Sequence, residues 1–326
     1  MMKTQNFKTI ALFTALLSLL FFLACDDDDD VVIVPPDSTR NIVQIAQNDA
    51  NLSSLVQALQ KAELVGILAG DDVYTVLAPT NDAFDDFLME NGFGTLDDVP
   101  KELLRQVLLN HVVEGILLSN ADTGYYSTMA TADAAPDDGK MALFYNQEDG
   151  AVFNGESEII GGAANIEASN GYIHLVDEVV SLPTVADFIE ADPLFEVLED
   201  QLDADGQPDF DAILATPVGG DTAPFTVFAP VNDAFALLDG APTGDNLTAV
   251  LRHHVIPNNN LVYDAITNGM DSPATLEGNV LSFQRIGSLV GITDGAGNSN
   301  AEVILDLANL QANNGVVHGV DRVLLP

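Results

Sequence analysis

Two copies of one α+β domain are what this 326-residue sequence predicts. Three observations predict it. Residues 75–84 read TVLAPTNDAF and residues 226–235 read TVFAPVNDAF, an offset of 151. Residues 170–183 read NGYIHLVDEVVSLP and residues 314–326 read NGVVHGVDRVLLP, an offset of 144. Between them, His111 in LLNHVV matches His254 in RHHVI at an offset of 143. Order, motif and spacing recur together, which is the mark of a duplicated structural unit. A chain of this length also suits two domains, here residues 41–182 and 183–326.

The elements of each copy follow from local pattern. Leu52, Leu55, Val56 and Leu59 recur at helical spacing, as do Val185, Phe188 and Ile189. Residues 74–78 and 225–229 are short apolar runs ended by proline and read as strands. A helix follows each. Val231 has no side-chain acceptor, so Asn232 is the expected N-cap, and Asn81 by correspondence. Phe84, Phe87 and Leu88 give the first of these helices an apolar face; Phe235 and Leu238 do so in the second. Leu103, Val107 and Leu108 predict a further helix leading into His111. The last third of each copy reads as strands, at 141–145, 151–153, 280–283 and 289–292. Each copy ends with an Asn-Gly turn and a strand carrying a histidine. Helices mostly precede strands, which favours α+β over a parallel βαβ sheet. The second copy gains about eight residues around Asp203 to Asp211 and loses about eight between Phe235 and His254, both in expected loops.

Charge narrows the function. Asp plus Glu total 50 against 10 Lys plus Arg, a net charge of -40. Such a surface repels nucleic acid, whose phosphates need clustered Lys and Arg. It keeps a protein soluble and attracts cations. The single cysteine, Cys25, excludes an intramolecular disulfide, so packing must hold the fold.

The position of that cysteine is informative. Lys3 and Lys8 precede an apolar run from Ile10 to Leu23, too short to span a bilayer comfortably and right for a signal-peptide core. The run ends Phe22-Leu23-Ala24-Cys25, which resembles a bacterial lipobox. The resemblance implies removal of residues 1–24, acylation of Cys25 and export to an outer membrane or cell surface. Each buried methylene contributes about 0.8 kcal/mol, and stable anchoring takes more than one chain. Asp26 to Asp30 form an extended acidic run that reads as a solvated spacer and resembles the surface-export signals of Bacteroidota-type lipoproteins. Residues 25–40 then form a tether to the first domain.

The repeated motifs resemble the fasciclin-type domain. Its first motif matches at residues 75–84 and 226–235, including Asn81, Asp82, Asn232 and Asp233. Its central Tyr-His element falls on Asn110-His111 and His253-His254. Its closing motif matches at residues 170–179 and 314–323, including His174, Asp177, His318 and Asp321. The resemblance implies a wedge-like β-sandwich with packed helices and roles in adhesion or surface binding. The tyrosine of the central element is absent from both copies, so integrin recognition is not carried over.

Enzymatic readings find little support. A His174–Asp177 or His318–Asp321 dyad is conceivable as a general base. These histidines alternate with Tyr172, Val176, Val316 and Val320, which predicts buried, hydrogen-bonded rings instead. Adjacent His253 and His254, placed on a strand, would point to opposite faces and chelate poorly. No nucleophile elbow, zinc spacing or phosphate loop is present. No catalytic residue and no obligatory cofactor is expected. Calcium is one reading of Asp203, Asp205, Asp209 and Asp211 in DADGQPDFD; a solvated acidic loop is the other. The function expected is a lipid-anchored adhesion or interaction protein with a glycan, matrix or surface-protein partner. A calcium-dependent module or a structural spacer are the alternatives, and a secreted hydrolase using His111 and His254 stands last. Two copies on one tether raise avidity when both engage.

Overall fold

The structure, a computed structural model, describes residues 39–135, 139–148 and 150–326. The expected signal peptide, Cys25 and the acidic run lie outside the described residues. No helix among the described residues is long and apolar enough to cross a membrane.

The first copy opens with helices α1 (Ile42–Asn48), α2 (Ser53–Lys61) and α3 (Val65–Leu68), followed by strand β1 (Tyr74–Pro79). Helices α4 (Asn81–Glu90) and α5 (Lys101–Asn110) come next. Strands then run β2 (Val112–Glu114), β3 (Gly124–Thr131), β4 (Lys140–Asn146), β5 (Val152–Phe153), β6 (Ser157–Glu158), β7 (Ile166–Ala168) and β8 (Gly171–Val176). The second copy repeats the plan with α6 (Val185–Ala191), α7 (Glu196–Leu202), α8 (Phe210–Leu214), β9 (Phe225–Pro230), α9 (Asn232–Phe235) and α10 (Asp245–His253). Its strands close with β10 (Val255–Pro257), β11 (Ser282–Ile286), β12 (Leu289–Thr293), β13 (Ala301–Glu302), β14 (Leu310–Ala312) and β15 (Gly315–Val320).

Both the α+β class and the tandem arrangement expected from the repeats are present. The first sheet runs in the order β6-β5-β4-β3-β2-β1-β8-β7. A bridge between Ile159, just past β6, and Val176 at the end of β8 brings its two ends together, so the strip curls on itself. In the second copy the strands divide into β10-β9-β15-β14 and β11-β12-β13, joined by the equivalent bridge between Val303 and Val320. The first strand of each copy pairs in parallel with the histidine strand: Leu77 stands opposite His174, and Phe228 opposite His318. Each domain therefore has two cores. One lies between helices and sheet, built in the first copy around Leu55, Leu59, Phe84, Leu104 and Leu108. The other fills the curl of the sheet, with Leu77, Leu143, Tyr145 and Phe153 in the first copy and Phe228, Phe283 and Ile292 in the second.

Burying aliphatic and aromatic side chains on both sides of the sheet supplies the main folding force. Helix starts are fixed by side-chain oxygens: Asn41 and Gln44 close a capping box on α1, and Thr184 with Asp187 closes one on α6.

Five local expectations need correction. Asn81 and Asn232 are not N-caps. The extended residue before each helix is Thr80, whose hydroxyl accepts from the Ala83 amide, and Val231, which offers no cap. Cap position is set by backbone conformation, and a strand ending in proline hands it to the next residue. Leu103 is 37% exposed, and Leu104 takes the core position on α5 instead. His253 and His254 are not on a strand; they are the last residue and the C-cap of α10. The closing hairpins turn at Ser169-Asn170 and Asn313-Asn314, one residue earlier than an Asn-Gly turn, with Ala168 opposite Gly171 and Ala312 opposite Gly315. The glycine is needed for close approach: at Gly171, φ +139, a Cβ would lie 1.8 Å from the Tyr74 carbonyl oxygen. The shortening of the second copy falls within the helix after β9, where α9 has 4 residues against 10 in α4.

The two domains pack directly. Tyr125 and Ala142, from β3 and β4, join the helix-side core of the second domain. The Tyr125 ring meets Phe188 edge-on at 5.4 Å. Asn313 accepts from the Asp133 and Ala134 amides, both at 3.0 Å.

Candidate functional site

The residues that repeat between the copies are the first candidates, and the structure gives them closely matched surroundings. His111 and His254 end α5 and α10. Nδ1 of His111 lies 2.7 Å from the Val107 carbonyl, and its Nε2 accepts from the Val180 amide at 2.9 Å. In the second copy the distances are 2.8 Å to Val250 O and 2.9 Å from the Leu324 amide. One nitrogen faces an acceptor and the other a donor, which fits only the neutral ring with its proton on Nδ1. Burial, offset only in part by the carbonyl contact, holds His111 and His254 down at about 4. Protonation would aim a second N–H at a backbone N–H. Each ring thus staples the end of a helix to the segment after the closing strand.

His174 and His318 are the mirror case. Nε2 lies 2.8 Å from Leu117 O in the first copy and 2.9 Å from Leu261 O in the second. Nδ1 accepts from Asn165 and Asn309 amides at 3.2 and 3.0 Å. Burial holds His318 at about 4 and also lowers His174. The dyads do not form. Asp177 accepts from the Glu158 amide at 2.8 Å, and Asp321 from the Glu302 amide at 2.7 Å, each pinning the segment beside the closing strand.

The remaining motif positions also bond to backbone. Asn81 accepts from the Ser54 amide at 2.9 Å and donates to Ala50 O at 2.8 Å. Asn232 does the same with the Val197 amide and Pro193 O. These side chains tie α4 and α9 to the N-terminal helices. Asp82 and Asp233 sit in the first turns of those helices, where negative charge favours the helix dipole.

Two further repeated pairs escaped the sequence reading. Asn170 accepts from the Ile42 amide at 2.9 Å and donates to Leu68 O and Gly70 O. Asn314 repeats this with Val185, Leu214 and Thr216. Thr75 and Thr226, both fully buried, each bridge a carbonyl and an amide of the loop after the next strand. All four lay within the repeated motifs, which was the available signal.

His253 has no histidine counterpart, since Asn110 occupies its place. Its Nε2 accepts from the Gly295 amide at 3.1 Å, and Glu277 lies 3.6 Å from Nδ1. The two adjacent rings serve separate loops and do not converge.

The acidic loop is only partly assembled. Asp209 caps α8 by accepting from the Ala212 amide at 3.0 Å. Asp203 and Asp211 interact and raise the latter above the usual carboxylate range, after burial as the larger cause. Among the described residues no group of three or more His, Cys, Asp or Glu side chains is arranged to hold a metal.

With this geometry in view, comparison with known proteins decides the family. The Fasciclin domain matches residues 50–183 and again 200–326. The chain belongs to the fasciclin-domain family. Protein sll1483 of Synechocystis sp. is 33% identical over 148 residues, covering 45% of this chain and 76% of its own. Human periostin is 26% identical over 268 residues, 79% of this chain and 29% of periostin. Transforming growth factor-beta-induced protein ig-h3 of Sus scrofa is 26% identical over 267 residues, 79% of this chain and 35% of its own. The chain therefore spans about a third of the length of periostin and of ig-h3. A solved FAS1 domain pair from the insect cell adhesion molecule fasciclin I aligns over 83% of this chain and 92% of that one, at 18% identity and a TM-score of 0.44.

Proposed function

We propose that this fasciclin-domain protein is an exported, lipid-anchored adhesion or interaction protein that acts by binding and not by catalysis. The observation that carries the second half is the state of the repeated histidines. All four rings have both nitrogens bonded to backbone groups and are buried away from any substrate. A general base needs a free nitrogen within reach of the proton it removes. The motif residues hold the fold, and the exposed surface of the two domains is left for recognition.

The anchor half rests on the sequence: a signal-like apolar run, a lipobox-like ending at Cys25, and the acidic tether. A net charge of -40 favours a protein or glycan partner over nucleic acid or anionic lipid. The test is a deletion strain complemented with wild type or with Cys25→Ser. Growth with an alkyne fatty acid should label the wild-type protein and not Cys25→Ser. Attachment to matrix or to neighbouring cells should be lost on deletion and restored only by the labelled protein. Unlabelled wild-type protein overturns the anchor, and normal attachment by the deletion strain overturns the adhesive role. His111→Ala should abolish no turnover.

A further inference from the structure

The contact between the domains is heterologous: each offers a different surface to the other. The first gives the outer face of β3 and β4, with Tyr125 and Ala142 packed into the helix-side core of the second. The second gives Phe188 of α6, whose ring meets Tyr125 at 5.4 Å, and Leu310 of β14, which lines a hollow with Tyr125 and Ala142. Because the chain is a duplication, each surface has a counterpart in the other copy. Matched bonds fix the correspondence: Asn170 with Ile42 repeats as Asn314 with Val185, Asn81 with Ser54 as Asn232 with Val197, and His174 with Asn165 as His318 with Asn309.

Ile45 therefore stands for Phe188, and Ile166 for Leu310. Phe188 is 0% exposed and Leu310 4%. Ile45 and Ile166 are only partly buried. So are Val56 and Ile160, whose counterparts Glu199 and Ile304 face the same domain boundary. Charge separates the two surfaces as well. Five acids of the second domain line its boundary with the first: Glu190, Asp192, Glu196, Glu199 and Asp306. Their counterparts are Gln47, Asp49, Ser53, Val56 and Gly162, so only Asp49 keeps a carboxylate. Glu167 follows Ile166 on β7, and alternation turns it to the opposite face. On a chain of net charge -40, an apolar surface cleared of acids is where a second copy can approach without strong repulsion.

The second domain does not supply the other half of such a contact. Tyr145 pairs with Phe153 as Phe283 pairs with Ile292, and Tyr125 pairs with Phe144 as Asp271 pairs with Ser282. Val280, Ser282 and Asp271 thus stand where Ala142, Phe144 and Tyr125 stand in the first. A carboxylate in place of the Tyr125 ring disfavours head-to-tail stacking onto the patch, which is left to meet its own kind.

We propose that Ile45, Val56, Ile160 and Ile166 form the contact of a two-fold symmetric dimer between two copies of this chain on one membrane. The shared membrane rests on the lipid anchor proposed above. The chain enters the first domain at Arg40, whose carbonyl accepts from the Ser169 amide at 2.8 Å, just past β7. The patch borders that entry point. Anchoring holds copies in one plane and raises their effective concentration, which suits a contact built on four aliphatic side chains.

The test is thiol cross-linking of the full chain in intact cells. Cys25 is the only cysteine and is acylated in the anchored form, so a bismaleimide reaches only an introduced thiol. Gln47→Cys, exposed on α1, should give a product of twice the chain's mass, at least about fivefold above Glu102→Cys, exposed on α5. Ser53→Glu with Val56→Glu restores two acids of the second copy and should cut that yield about tenfold; Ser53→Glu alone, at an exposed position, should cut it about threefold. Gln147→Glu with Gln284→Glu, exposed elsewhere, should leave it unchanged. Added salt should raise the yield by screening the repulsion between chains. A Gln47→Cys yield no higher than that of Glu102→Cys overturns the proposal, as does an equal loss in the Gln147→Glu, Gln284→Glu chain. A product containing a different protein overturns the choice of occupant. Stronger cross-linking of Gln47→Cys to co-expressed Gln284→Cys than to itself overturns the two-fold symmetry. Cross-linking of wild type through Cys25 overturns the anchor alone; Gln47→Cys in a Cys25→Ser chain, purified and concentrated, should then still cross-link, and failure there overturns the dimer. Normal attachment by deleted cells overturns the adhesive role and leaves the dimer standing.

Discussion

Replacing His111 with alanine should unfold the first domain early and cost no chemistry. The ring bonds Val107 O at 2.7 Å and the Val180 amide at 2.9 Å, and it is 1% exposed. Alanine strands both backbone groups in the core, at about 1–2 kcal/mol each. The void left by the ring adds about 1 kcal/mol. The sum, about 3–5 kcal/mol, is a large part of the roughly 5–15 kcal/mol that holds a domain folded. At about 2–4 °C per kcal/mol for a domain of this size, melting should fall by about 10 °C. His254→Ala should do the same in the second domain, where the partners are Val250 O and the Leu324 amide. His111→Phe, which keeps most of the volume, should recover only the cavity part. Far-UV circular dichroism during urea unfolding is the assay, with tyrosine fluorescence as a second probe because the chain has no tryptophan. A urea midpoint equal to wild type would refute the stapling role and reopen the case for a reactive ring.

Further predictions follow the same logic. His111, His254 and His318 are held at about 4 in the folded protein, against about 6.5 unfolded. The unfolded chain therefore takes up more protons between these values, so the stability from these rings is fully present above about pH 6.5 and lost as pH falls toward 4. Glu156, Asp187 and Asp192, all raised chiefly by desolvation, act in the opposite direction and soften the loss. Ring-proton NMR should show three histidines still neutral at pH 5, and a normal titration near 6.5 would contradict the burial. Gly171→Ala should prevent correct folding of the first domain, because the added Cβ meets the Tyr74 carbonyl at 1.8 Å; a soluble variant with native melting would argue against the parallel register of β1 and β8. Lys61 donates to the carbonyls of Leu96, Asp97 and Val99 at 2.6–2.9 Å, so Lys61→Met should lower stability by about 1–3 kcal/mol in the urea assay. Millimolar calcium against chelator should leave the melting temperature unchanged, since Asp209 is bound to its helix cap; a rise of several degrees would restore the acidic loop as a cation site.

The duplication, the α+β class and the order of elements were legible because each rests on local pattern written twice. The burial of His174 and His318 was legible too, from their alternation with apolar neighbours. The N-caps were not. A strand ending in proline leaves the extended backbone at Thr80 and Val231, and side-chain identity alone could not separate them from Asn81 and Asn232. His253 was misplaced on a strand because α10 runs through it and is capped by His254. The parallel pairing of β1 with β8 joins residues about 97 apart, Tyr74 with Gly171, and no short window carries that contact.

The role proposed for this pair of domains is contact. Its most direct test adds the purified chain in solution to wild-type cells during an attachment assay. Folded protein should occupy the partner sites and reduce attachment in a dose-dependent way, while heat-unfolded protein should not. Undiminished attachment at saturating folded protein, in a strain whose attachment depends on this chain, would contradict the claim.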